Sequence, residues 1–109
     1  ETLKNNMSSF SFSNDQTRAA MLEIYTKYNY VADPHGAVGY LGAKAYLEKN
    51  PDSHCVFLET AHPTKFLDVV EHVIKTKQAL PSQIQAVIGN TKVATKISKY
   101  EDLKKYLLA

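Results

Sequence analysis

A chain of 109 residues has room for one compact core, or for a piece of a larger one, and not for two independent ones. Thirteen Lys and Arg against eleven Asp and Glu leave a net charge of +2, too slight an excess for a dedicated nucleic-acid binder, and no apolar run approaches the ~18 residues of a membrane span. The single Cys55 can neither close an internal disulfide nor supply a cysteine-based zinc site, which excludes a secreted disulfide scaffold and fits a reducing, cytoplasmic setting.

Residues 1–12 read as an irregular lead-in: they are polar at first, lack a signal-peptide apolar run, and suggest a boundary inside something longer. Ser13 with Gln16 three residues on forms a capping-box pattern, and Met21, Leu22, Tyr25 and Tyr28 recur at helical spacing, predicting a helix over Asn14–Tyr28. Asp33 before Pro34 repeats the start grammar, because Asp accepts orphan amides and Pro at the first helical position has none to waste; a second helix should run to about Lys49. Its Gly36, Gly39 and Gly42 lower helix propensity together, so this helix should be closely approached by another backbone.

After the turn residues Asn50, Pro51, Asp52 and Ser53, the run Cys55-Val56-Phe57-Leu58 has the length and apolarity of a strand buried on both faces. His62 and Pro63 open a third helix in which Phe66, Val69, Val70, Val73 and Ile74 form the clearest apolar stripe of the chain. Beyond Leu80-Pro81, Val93, Thr95 and Ile97 alternate with Lys92, Ala94 and Lys96, predicting an edge strand. Ser98 with Glu101 makes a second capping-box pattern, and Tyr100, Leu103 and Leu107 give a last helix a narrow stripe. Residues 13–109 therefore read as an α/β segment, a few-stranded sheet packed with helices.

In open α/β sheets ligands sit beyond the carboxyl ends of strands, which singles out Glu59, Thr60, Ala61 and His62. Helix amides and the Thr60 hydroxyl would there face one space able to receive an anion or a polar ring; alternatively Thr60 and His62 merely cap the turn. Asp33 and His35 could be a catalytic dyad, or an N-cap beside an incidental ring. His54 and Cys55 are adjacent on an extended segment and point apart, so they make no metal pair. Lys92, Lys96, Lys99, Lys104 and Lys105 have the spacing of solvated faces, and no glycine pattern of a dinucleotide or triphosphate site is present.

The strings Ala32-Asp33-Pro34-His35-Gly36-Ala37-Val38-Gly39-Tyr40 and Phe57-Leu58-Glu59-Thr60-Ala61-His62-Pro63-Thr64-Lys65-Phe66 resemble the C-terminal part of the threonine synthase family. The resemblance implies the end portion of a fold type II pyridoxal-phosphate enzyme, a carbon–oxygen lyase that converts O-phospho-L-homoserine and water to L-threonine and phosphate. It implies that Thr60 hydrogen-bonds the pyridine nitrogen of pyridoxal 5'-phosphate, since a hydroxyl can donate to a neutral ring without holding it protonated. The Schiff-base lysine and the glycine-rich phosphate loop of such enzymes lie upstream, so this segment holds no catalytic residue or metal ligand. Its partner is then the rest of the same polypeptide, and alone it should be inactive. Relatives can carry Thr at the position of Gly36, a departure within the motif. The rival expectations are a segment of a serine or threonine dehydratase, and a free-standing α/β binding module without catalysis.

Overall fold

The computed structural model describes residues 5–109, which divide into two compact units, the first ending at Ala79 and the second running Leu80–Ala109. Of the lead-in expected over residues 1–12, residues 1–4 lie outside the described residues; Phe10 and Phe12 stack with ring centroids 6.4 Å apart.

Helix α1 (Asn14–Tyr28) spans the range its sequence predicts. The Ser13 hydroxyl accepts from the Gln16 amide at 3.2 Å, and the Gln16 side chain accepts from the Ser13 amide at 2.8 Å, so two orphan donors are satisfied reciprocally. The helix ends at Asn29, whose left-handed φ of 51° a short amide side chain tolerates. Its inward residues are Ala20, Met21 and Ile24, whereas Leu22 and Tyr28, expected on the apolar stripe, are exposed.

Helix α2 (Pro34–Leu47) starts at the predicted cap and stops two residues short of Lys49. Asp33 Oδ1 accepts from the His35 amide at 2.8 Å. Between the two helices the Glu23 carboxylate accepts from Lys27 at 2.7 Å, from the Tyr40 hydroxyl at 3.0 Å and from Lys44 at 3.0 Å. The hydrogen bonds from Lys27, then Lys44, outweigh partial burial and bring Glu23 down to about 2.

The third helical stretch opens as a 3-10 turn (Pro63–Phe66) and continues as α3 (Leu67–Ile74), ending at Lys75 with φ 56°. Proline at the first position of the turn explains the start, and the predicted stripe faces inward: Val70 is fully buried, Ile74 nearly so, and Phe66, Val69 and Val73 flank them. With Ala20, Met21, Ile24, Ala32 and Ala37 these residues form the core of the first unit.

The expected few-stranded sheet is not there, which overturns the α/β class: the described residues form helices and connecting segments, with no strand. The run Cys55–Leu58 is unladdered chain in which Cys55 and Phe57 are half-buried while Val56 and Leu58 are 90% and 76% exposed. It is not buried on both faces. Val93, expected on the second strand, is 96% exposed. A strand exists only as one side of a ladder, and each unit contains just one of the two apolar stretches that could have supplied it. Apolarity of a short run reports that it packs somewhere, not that a second run lies beside it.

The second unit comprises α4 (Ser82–Gln85) and α5 (Tyr100–Leu108) and contains no buried residue. The capping box expected from Ser98 and Glu101 does not form: Lys99 is the N-cap, so the helix starts one residue late and Glu101 falls one position short of the reciprocal site. Tyr100, Leu103 and Leu107 are exposed, as are the five lysines of this unit.

Val70→Asp should destabilise the first unit by several kcal/mol, because its carboxylate would lose hydration with no partner, while Lys75→Asp at an exposed left-handed cap should stay within about half a kcal/mol. Denaturant midpoints of the two variants check this, and equal midpoints would remove α3 from the core. A second expectation concerns acid. Because Glu23 is held at about 2 when folded against an ordinary 4.5, its contribution is complete above pH 4.5 and is lost as pH falls through about 2. Glu23→Gln should lower stability at neutral pH by on the order of 1 kcal/mol, as befits half-exposed pairs, and flatten that part of the acid limb in a pH series of thermal melts.

Candidate functional site

The segment leading to Thr60 lies along the glycines of α2. A methyl group on Gly39 would stand 3.4 Å from Phe57, and one on Gly36 would overlap the Glu59 carboxyl. The close approach predicted from these glycines is therefore made by side chains, not by a backbone. Phe57 and Glu59 are two residues apart and so share one side of an extended segment; Gly36 and Gly39 are three apart and share one side of a helix. The match lets the segment seat on α2, and Tyr40 closes it with an edge contact to Phe57 at 6.1 Å between centroids. From Ser53 to Ala61 the odd-numbered residues are half-buried and the even-numbered ones exposed, which turns Thr60 outward.

Thr60 forms no hydrogen bond within the chain among the described residues. The cap of the following turn is His62: its Nδ1 accepts from the Thr64 amide at 3.2 Å and lies 2.9 Å from the Thr64 hydroxyl. The capping alternative thus holds for His62, whereas Thr60 has no role in the turn.

Behind Thr60, the Glu59 carboxyl is buried against the first turn of α2 beside Asp33. Asp33 is itself fully buried, and its Oδ1 binds both the amide and Nδ1 of His35, the latter at 2.9 Å. Asp33 is thus the N-cap of α2, and the same oxygen also contacts the His35 ring. Asp33 Oδ2 and both Glu59 oxygens have no hydrogen-bond partner among the described residues. Burial, then Asp33, raises Glu59 from 4.5 to about 7; Asp33 is pushed up by burial but brought below its ordinary value by Glu59 and the His35 amide and ring. Tyr30 is raised by burial and by these two carboxyls.

Reasoning from a strand end leads to Glu59, Thr60 and His62 but misses the meeting of Glu59 with Asp33, residues 26 positions apart. The available signal was Gly36, a small residue one turn past an acidic cap, leaving space a carboxyl can fill. His54 is exposed and Cys55 half-buried, on opposite sides as expected, and among the described residues no group of three acidic, His or Cys side chains could hold a metal ion.

The family described as threonine synthase, C-terminal, matches residues 36–107, and the chain belongs to it. Among threonine synthases, that of Buchnera aphidicola from Acyrthosiphon pisum is 35% identical over 91% of this chain and 23% of its own length. The Escherichia coli enzyme is 33% identical over 64% of the chain and 16% of its own length, and the Schizosaccharomyces pombe enzyme 45% identical over 50% and 11%. The chain therefore spans less than a quarter of these relatives. No solved structure matches at the stringency that these relatives meet.

The glycine contacts predict opposite signs for one substitution at two positions. Gly36→Ala should destabilise, because the new methyl takes the space of the Glu59 carboxyl; Gly42→Ala, whose methyl would meet only the Phe10 ring at an ordinary 3.6 Å, should stabilise by about 0.5–1 kcal/mol through helix propensity. Thermal melts of the pair decide it, and stabilisation at both sites would show that Glu59 is not seated on α2.

Proposed function

We propose that this chain is the C-terminal portion of a pyridoxal-phosphate-dependent threonine synthase, a carbon–oxygen lyase acting on O-phospho-L-homoserine and water to give L-threonine and phosphate. The carrying observation is Thr60, an exposed hydroxyl without a hydrogen bond among the described residues, at the end of a segment whose opposite side is fixed on α2. When bound, pyridoxal phosphate supplies an electron sink to the reacting carbons. Thr60 would donate to its pyridine nitrogen and orient the ring without protonating it, because a hydroxyl gives up a hydrogen bond but not its proton at neutral pH. The residues present fit that role, since the donor is unspent and faces outward.

Catalytic acids and bases, the Schiff-base lysine and the phosphate loop are assigned to the remainder of the polypeptide, so the 109 residues alone should release no phosphate from substrate. Threonine synthases, not dehydratases, are the relatives named above, which favours this reading over the dehydratase alternative. For a free-standing binding module without catalysis no specific observation speaks.

Three substitutions in the complete enzyme test the role of Thr60. Ser keeps the donor, Val keeps the shape and removes it, and Asp brings a carboxylate that favours a protonated ring. Cofactor retention should rank Ser above Val and Asp, with Val weaker than the natural residue by about 0.5–1.5 kcal/mol and turnover falling at least as far. Cofactor absorbance, turnover and melting temperature are measured together. If Thr60→Val melts lower but binds cofactor and turns over normally per folded molecule, Thr60 is only a structural residue.

A further inference from the structure

Three buried carboxylate oxygens, Asp33 Oδ2 and both of Glu59, meet at the first turn of α2 without a donor to them among the described residues. Two ionised carboxylates have lone pairs only, so they repel and leave all three oxygens unsatisfied. No lysine or arginine among the described residues pairs with either; the basic side chain in contact is His35, whose Nδ1 meets the other oxygen of Asp33. One proton removes the conflict. It converts one carboxyl into a donor to the other, leaves a single negative charge beside the positive end of α2, and needs no extra space in a site closed to solvent.

We propose that Asp33 and Glu59 share a single proton and together act as a positioning pair that seats the Glu59–Thr60 peptide on α2, holding the Thr60 hydroxyl at the angle from which it meets the cofactor. The second half of the proposal rests on the role given to Thr60 above. Neither carboxyl touches the cofactor; both act through the peptide that carries the donor. Asp33 is the fixed member, tied by the His35 amide and ring, and Glu59 is the member that titrates, being raised to about 7 by burial and by Asp33. Tyr30, Asp33 and His35 are the titratable groups that bear on it.

The sign follows from linkage. A carboxyl at about 7 when seated and 4.5 when released binds its proton more tightly in the seated form, so seating is complete below pH 4.5 and weakens as pH rises through 7. Glu59→Gln replaces the acid by an amide that donates at every pH and should keep the segment seated with no such dependence.

The test uses the complete enzyme. Infrared difference spectra between about pH 6 and 8, with side-chain labelling, read the protonated carboxyl directly, and equilibrium dialysis reads cofactor retention over the same range. The natural protein should show a carboxylic-acid band at the lower pH that fades through 7 and is missing in Glu59→Gln. Relative to Glu59→Gln, its cofactor retention should fall several-fold across that range, and Asp33→Asn, which keeps the helix cap but removes the charge that adds to burial in raising Glu59, should make this relative fall smaller. Absence of the band, or its persistence in Glu59→Gln, overturns the shared proton. A band that titrates as stated while the retention ratio stays flat overturns the positioning role. A ratio that falls while Thr60→Val retains cofactor normally shows that the pair positions something other than Thr60, and the failure then belongs to the role given to Thr60.

Discussion

The arrangement depends on the seating of one extended segment on the glycine side of α2. A helix normally presents a layer of Cβ atoms, and at Gly36 a Cβ would overlap the Glu59 carboxyl, so its absence there admits that carboxyl. At Gly39 a methyl would meet Phe57 at ordinary contact distance, so there the small residue only leaves the ring uncrowded. Glycine costs the helix stability, and the contact with the segment offsets it. The consequence is directional: with Phe57 and Glu59 turned inward, the alternation of an extended chain turns Thr60 outward, and the motif residue acquires its presentation from two glycines about twenty positions earlier.

Charge is distributed unevenly over the two ends of α2. Toward the C-terminal half, Glu23 is shared by Lys27, Lys44 and Tyr40, a partly exposed network of opposite charges that ties α1 to α2. At the N-terminal end, two carboxyls meet with no lysine or arginine beside them among the described residues, in a site where burial magnifies their conflict. The first arrangement is strengthened by raising pH above the acid range and the second is relieved by lowering it. Two groups packed against one helix, Glu23 from α1 and Glu59 from the extended segment, thus respond to pH with opposite sign, near 2 and near 7.

Much of the helical part was legible in the sequence because its signals are local. The Ser13–Gln16 box, the Asp33-Pro34 start and the Phe66–Ile74 stripe each involve residues within a few turns, and each appears where predicted. The expected strands are missing because pairing is non-local: Cys55–Leu58 and Val93–Ile97 carry strand-like composition, but a ladder requires a second run alongside, which neither unit provides. Ser98 and Glu101 show that even a local pattern fails when the backbone enters the helix one residue late. At the site, strand-end reasoning leads to Thr60 and His62 although its premise, a sheet, does not hold; the contact that organises the site, Glu59 against Asp33, joins residues 26 positions apart, and its one local sign is the small Gly36 a turn past the acidic cap. Family resemblance supplied what the physics of the sequence could not, a chemical reason for an exposed threonine.

The central proposal is that Thr60, presented by the segment on α2, donates to the pyridine nitrogen of the cofactor. The most direct measurement is the NMR signal of an isotopically labelled pyridine nitrogen in cofactor bound to the complete enzyme, compared between the natural protein and Thr60→Val. A donating Thr60 predicts a signal characteristic of an unprotonated nitrogen accepting a hydrogen bond, displaced toward the free-acceptor position in Thr60→Val. An identical signal in the two proteins would contradict it.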